Sequence, residues 1–238
     1  IAMGRLGGQD VGYSSDADAI FVHDPLPGAD EATATKAATA VANELRRLLS
    51  LPCADPELVI DADLRPEGRS GALVRSIASY AAYYARWSSP WEAQALLRAR
   101  PLAGDESLSA EFMELIDPLR WPVDGISDPD VREVRRLKAR MESERLPKGA
   151  DPSLHVKLGR GGLSDVEWVA QLLQMRHAGE PGFEALRVTG TLNALEAATD
   201  LCLMSADDRD ALEAAWCLAT RMRNAVYSVT GRPSDQVP

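Results

Sequence analysis

The chain has 238 residues, 45% of them hydrophobic and 26% charged, with 36 acidic against 26 basic side chains and a net charge of −10. That length holds one large domain or two small ones, in an ordinary globular composition. The acidic balance repels a phosphate backbone and argues against nucleic acid as a partner. No run of 18 apolar residues and no signal peptide is present, which argues against a membrane and for the cytoplasm.

The chain opens on Ile1-Ala2-Met3-Gly4 and enters a motif at once, as a fragment of a longer protein would. The motif is Gly7-Gly8-Gln9-Asp10-Val11-Gly12-Tyr13-Ser14-Ser15-Asp16-Ala17-Asp18, followed by the apolar run Ala19-Ile20-Phe21-Val22. A strand alternates its side chains, so Asp16 and Asp18 point to one side. Two adjacent carboxylates repel unless a cation lies between them, and oxygen-only ligands suit Mg²⁺ held together with substrate phosphates. A Gly-Gly turn lets backbone N–H groups approach those phosphates. The stretch reads as a metal–nucleotide site.

Next, Ala38, Val41, Ala42, Leu45, Leu48 and Leu49 make a helical stripe bounded by Pro52. Leu58-Val59-Ile60 reads as a buried strand ending in Asp61, with Asp63 on the same face. If this strand lies beside the first, three or four carboxylates converge, as a two-metal site needs. Ile77, Tyr80, Tyr84 and Trp87 predict an amphipathic helix, and a further helix starts near Pro90-Trp91-Glu92. Residues 1–122 therefore predict an α/β domain on a small sheet.

From about residue 125 the strand signals stop. Asp128 as cap with Pro129 behind it starts a helix carrying Val131, Val134, Leu137 and Met141. Ser164 caps a helix with Val166, Val169, Ala170 and Leu173; Ser205 and Asp208 open another with Leu212, Ala215, Ala219, Met222 and Val226. Residues 123–238 predict a helical bundle. Arg132, Arg135, Arg136, Lys138 and Arg140 are interleaved with Glu133, Glu142 and Glu144 and read as a solvated face. Cys53, Cys202 and Cys217 have no metal spacing and read as small core residues of a reducing compartment; His23, His155 and His177 read as structural.

These segments resemble a known family, the bifunctional glutamine synthetase adenylyltransferase/adenylyl-removing enzymes of the polymerase-β-type nucleotidyltransferase superfamily. The resemblance rests on Met3-Gly4-Arg5-Leu6-Gly7-Gly8 with Val11 to Asp18; on Asp61 with Leu64-Arg65-Pro66-Glu67-Gly68-Arg69-Ser70-Gly71; on Trp91-Glu92-Ala93-Gln94-Ala95-Leu96-Leu97-Arg98-Ala99-Arg100 with Gly104-Asp105; and on Lys157 with Gly161-Gly162-Leu163-Ser164-Asp165-Val166-Glu167. Gly12-Tyr13, Phe21-Val22-His23-Asp24 and the run from Trp91 to Leu96 are similar to the adenylylating, C-terminal half.

The resemblance implies an α+β fold: a polymerase-β-like nucleotidyltransferase domain with a small mixed sheet over residues 1–122, then an all-α bundle over 123–238. It implies transfer of AMP from ATP to a tyrosine of glutamine synthetase, releasing pyrophosphate and down-regulating nitrogen assimilation. Asp16, Asp18 and Asp61 would be the catalytic and metal-binding carboxylates for Mg²⁺, with Mn²⁺ as a substitute. Gly7, Gly8, Ser15 and Arg65 would bind the nucleotide, and Arg98 and Arg100 are further phosphate candidates. Glutamine synthetase would be the protein substrate, and a PII-type signal protein a partner of the full-length enzyme. Four positions depart from the family pattern. Arg5 stands where Lys is expected; Ala17 and Ala19 stand where Leu is usual. Asp63 stands where Arg is expected, so Asp63 competes with Asp61 as third ligand, although motif position favours Asp61. The rival readings are phosphorolytic removal of AMP, a non-catalytic nucleotide- or signal-protein-binding module, and a uridylyltransferase.

Overall fold

The computed structural model describes residues 1–13, 15–52, 57–87 and 89–237. It divides into two compact units. The first comprises Ile1–Val11 and the chain from Ser15 to Arg120; the second comprises Trp121 onward and takes in Gly12 and Tyr13.

The first unit starts with a one-turn helix α1 (Gly4–Gly7), then strands β1 (Ala17–Asp18) and β2 (Phe21–His23), helix α2 (Glu31–Leu49), and strands β3 (Ile60–Asp61) and β4 (Val74–Ser76). Helices α3 (Ile77–Tyr84), α4 (Pro90–Leu96) and α5 (Glu106–Arg120) complete it. The strands form two parallel pairs, β1 with β3 and β2 with β4. Ala2 adds antiparallel bridges to Ala19 and Arg100. The expected mixed sheet is thus two short parallel pairs with isolated antiparallel bridges, and the unit is mostly helical.

Local chemistry explains the helix starts. Asp30 caps α2 by accepting from Thr33 N (2.8 Å), and Ser76 caps α3 by accepting from Ser79 N (3.2 Å). At α4 the Glu92 carboxylate accepts from both the backbone and the hydroxyl of Ser89, with Pro90 in the first turn. The main core gathers Met3, Ile20, Ile77, Tyr80, Tyr84, Leu96, Phe112 and Ile116. A smaller one holds Ala17, Ala19 and Ile60 against Leu6 and Phe21.

Several expectations are corrected here. Of the α2 stripe only Ala42 is buried, while Val41, Leu45, Leu48 and Leu49 are exposed. Leu58 and Val59 are exposed too, so the strand before Asp61 is buried only at Ile60. Trp87 lies beyond α3 and is exposed. Helix α5, which carries the Phe112 and Ile116 side of the core, has no counterpart in the sequence reading.

The second unit holds helices α6 (Asp128–Arg145), α7 (Leu163–His177), α8 (Thr191–Asp200) and α9 (Ala206–Thr230). Leu163, Val166, Ala170, Ala194, Leu195, Trp216 and Ala219 form its core. The Ser205 cap with Asp208 is present as expected. At α6, however, the cap is Ser127, reciprocated by Asp130, and Asp128 lies inside the helix. At α7 the cap is Gly162, and Ser164 is buried in the first turn.

The histidines have structural partners: His23 with Thr35, His177 with Glu180, and buried His155 accepting from Leu158 N. Cys202 is exposed and Cys217 half-buried, so neither is the core residue expected; Cys53 lies outside the described residues. Among the described residues no helix is long and apolar enough to cross a membrane.

Candidate active site

The β1–β3 pairing sets Asp18 directly opposite Asp61. Parallel neighbours lie about 4.8 Å apart, so the two carboxylates project from adjacent backbone positions. Ala17 and Ala19 are buried, Asp18 is half-buried and Asp16 is exposed, one residue before the strand. That alternation turns the alanines to the core and the aspartates away from it. Among the described residues no three His, Cys, Asp or Glu side chains come together as a metal-holding group. The pairing expected of Asp18 and Asp61 is present, and Asp16 is not drawn into a cluster with them.

Asp63 is set apart by its partners. Its carboxylate meets Arg69 at 2.5 Å and Arg65 at 3.6 Å, while its backbone N–H donates to Asp61 Oδ1 at 2.7 Å. Two guanidinium groups neutralise Asp63, and the turn it closes orients Asp61.

Gly4 is the residue that the sequence reading passed over. Its φ is +46°, in the left-handed region. A Cβ there would lie 2.2 Å from Asp18 Oδ2. Glycine therefore leaves the space that the Asp18 carboxylate occupies against α1. Gly4 lay inside a quoted motif, but its backbone conformation has no local sequence signature.

The Gly7-Gly8 turn is used differently from the expectation. Gly7 N donates to Met3 O (2.7 Å), Gly8 N to Gly4 O (3.0 Å) and Asp10 N to Arg5 O (2.9 Å). These N–H groups are engaged within the turn and do not offer a phosphate cradle. Gly7 is required for packing instead, since a Cβ would sit 1.8 Å from Arg98 O. Arg98 pairs with Asp10 at 2.9 Å, and Arg100 donates to Leu6 O and Gly7 O. Buried Arg65 donates to Gly71 O, Ala62 O and Arg69 O, which closes the loop after β3. These three arginines shape the backbone around the aspartates. Ser15 is half-buried just ahead of Asp16.

Asp18 and Asp61 are oxygen-only ligands of the kind a hard divalent cation takes, and glycine at position 4 makes room for the Asp18 carboxylate.

Comparison with known proteins bears on both units. A family model described as Glutamate-ammonia ligase adenylyltransferase matches residues 1–115, and one described as GlnD PII-uridylyltransferase matches residues 133–238. A protein of Streptomyces avermitilis is 60% identical over 239 aligned positions, covering 100% of this chain and 24% of its own length. One of Mycobacterium tuberculosis is 54% identical over 238, with the same coverage. Both are named bifunctional glutamine synthetase adenylyltransferase/adenylyl-removing enzyme. Over its whole length the chain is similar to a segment of this family's members. It spans about a quarter of the length of the family members it matches. The first family model covers the strands that carry Asp18 and Asp61; the second begins within α6.

Proposed function

We propose that this chain transfers AMP from ATP to a tyrosine hydroxyl of glutamine synthetase, with the first unit as a polymerase-β-type nucleotidyltransferase domain. The observation that carries the reading is the opposition of Asp18 and Asp61 on paired strands, in a chain similar to a segment of this family's members. Asp16, Asp18 and Asp61 would hold Mg²⁺ or Mn²⁺. When bound, the metal offsets charge on the triphosphate and on the pyrophosphate leaving group.

The tyrosine oxygen attacks the α-phosphorus of ATP, the bond to the β-phosphate oxygen breaks, and pyrophosphate departs. Asp61, held by Asp63 N, orients the attacking hydroxyl and takes its proton as the O–P bond forms, since an ordinary pKa near 10 leaves that hydroxyl protonated at neutral pH. The engaged N–H groups of Gly7 and Gly8 argue that these glycines shape the turn, with Gly7 also packed against Arg98 O. Buried Arg65 supports the site through its loop. Similarity of residues 133–238 to a PII-uridylyltransferase supports a PII-type signal protein as a partner of the full-length enzyme.

The relatives' names carry both directions of the chemistry. The test therefore offers the purified chain unmodified glutamine synthetase with α-labelled ATP, and separately adenylylated synthetase with phosphate. Label on tyrosine in the first arm supports the reading. Release of ADP in the second arm alone would assign the removing activity, and turnover in neither would remove the catalytic reading for this segment.

A further inference from the structure

Helix α6 carries Arg132, Arg136 and Arg140 at four-residue spacing, all exposed. Residues so spaced lie on one face, about 6 Å apart along the axis. Among the described residues none of the three forms an ion pair. Lys138 on the same helix pairs with Glu142 and Asp165 and lies 5.9 Å from the Trp168 ring. Burial works against its charge, yet the two carboxylates raise its pKa. Lys138 thus serves the α6–α7 joint, and the arginine row does not.

Like charges at four-residue spacing weaken a helix, and Asp128 and Glu144, which continue the spacing at the two ends of the row, offset that cost only in part. Beside it runs a shallow groove lined by Leu137, Arg140, Met141, Glu144, Arg145 and Trp168. The groove is apolar at its floor, with a methionine and a tryptophan that can adapt to a partner. Its rim carries Arg140 and Arg145 with Glu144 beside them, on a chain whose net charge is −10.

We infer that this face of α6 docks an acidic surface of the protein acceptor, steering it by charge and seating an apolar side chain beside Trp168. The inference rests on the proposed AMP transfer to a protein. An acceptor tyrosine on a folded protein needs contacts beyond the reacting atoms to be chosen and held. A positive strip on an acidic molecule selects an acidic partner and speeds encounter in a salt-dependent way.

The test compares the chain with the triple variant Arg132→Gln, Arg136→Gln, Arg140→Gln, which keeps helix-forming side chains and removes only charge. Arg221→Gln with Arg232→Gln, both exposed in the same unit, is the control. Binding of purified glutamine synthetase is measured directly at low and moderate salt, and KM is measured separately for synthetase and for ATP. The triple variant is expected to raise Kd and KM for synthetase about tenfold and to flatten the salt dependence. KM for ATP, the saturating rate and the control should stay near parent values, with Tm equal or slightly higher.

Synthetase binding by the triple variant equal to the parent, or a loss matched by the control, would overturn the inference. So would a parent chain that fails to bind synthetase at low salt, or one that holds single-stranded RNA in its place. Binding lost in the triple variant, from a parent that transfers no AMP, would retain the docking face and discard the catalytic reading.

Discussion

At the scale of single residues, Gly4 and Asp18 fit against each other at the proposed site. A side chain at Gly4 meets both an unfavourable backbone angle and the Asp18 carboxylate. Gly4→Ala is expected to cost about 1–3 kcal/mol in urea unfolding. It should also lower AMP transfer more than about tenfold by displacing Asp18. Wild-type turnover in this variant would mean that the Asp18 position does not matter. Asp61 and Asp63 separate in the same way. Asp61→Asn should reduce transfer about a hundredfold or more, since a developing charge loses its stabilisation. Asp63→Asn, whose carboxylate is already neutralised by Arg69 and Arg65, should stay within a few-fold of the parent. The reverse ranking would make Asp63 the third ligand. The opposition of Asp18 and Asp61 was legible because alternation and an apolar run ending in Asp61 are local patterns. The role of Gly4 was not, because a positive φ and a close approach between segments 14 residues apart leave no trace in either segment alone.

Loops and caps matter at the scale of elements. Arg65 joins Ala62, Arg69 and Gly71 through their carbonyls and is buried while doing so. Arg65→Met should destabilise the protein by about 2–4 kcal/mol, as buried bonds to a charged donor are lost. Transfer per folded molecule should change little. A variant of unchanged stability but weakened ATP affinity would return Arg65 to the phosphates.

Around α3 and α4, burial pushes the Tyr83 hydroxyl up to about 12, helped by the Glu92 carboxylate to which it donates at 2.7 Å. Burial also raises Tyr80 and Tyr84. A tyrosine whose folded pKa lies above its ordinary 10 is protonated in both states at neutral pH. The unfolded chain ionises first as pH rises, so stability should fall between about 10 and 12. Thermal unfolding followed alongside tyrosinate absorbance checks this, and a Tm flat through that window would contradict it. The α3 stripe was legible from Tyr80 and Tyr84 at four-residue spacing. Helix α5 has no counterpart in the sequence-based expectation although Phe112 and Ile116 repeat that spacing. The α2 stripe misled in the other direction, since periodicity names a face without saying what covers it.

On the scale of the whole molecule, the two units correspond to two separate family matches, one over residues 1–115 and one over 133–238. The division falls between Arg120 and Trp121, whereas the last strand, β4, ends at Ser76, so the expected loss of strand signals near residue 125 does not itself mark it. The antiparallel bridges of Ala2 were not readable, since a single residue carries no period. The account assigns the chemistry to the first unit and recognition of the protein acceptor to the second. Its central claim is that Asp18, opposite Asp61, makes AMP transfer possible. Single-turnover transfer of label from α-labelled ATP to unmodified glutamine synthetase, by the chain and by Asp18→Asn, tests it most directly. The account predicts labelled tyrosine with the parent and a loss of at least about a hundredfold in a variant that keeps the parent Tm. A variant within about tenfold of the parent would contradict it and move the catalytic centre elsewhere.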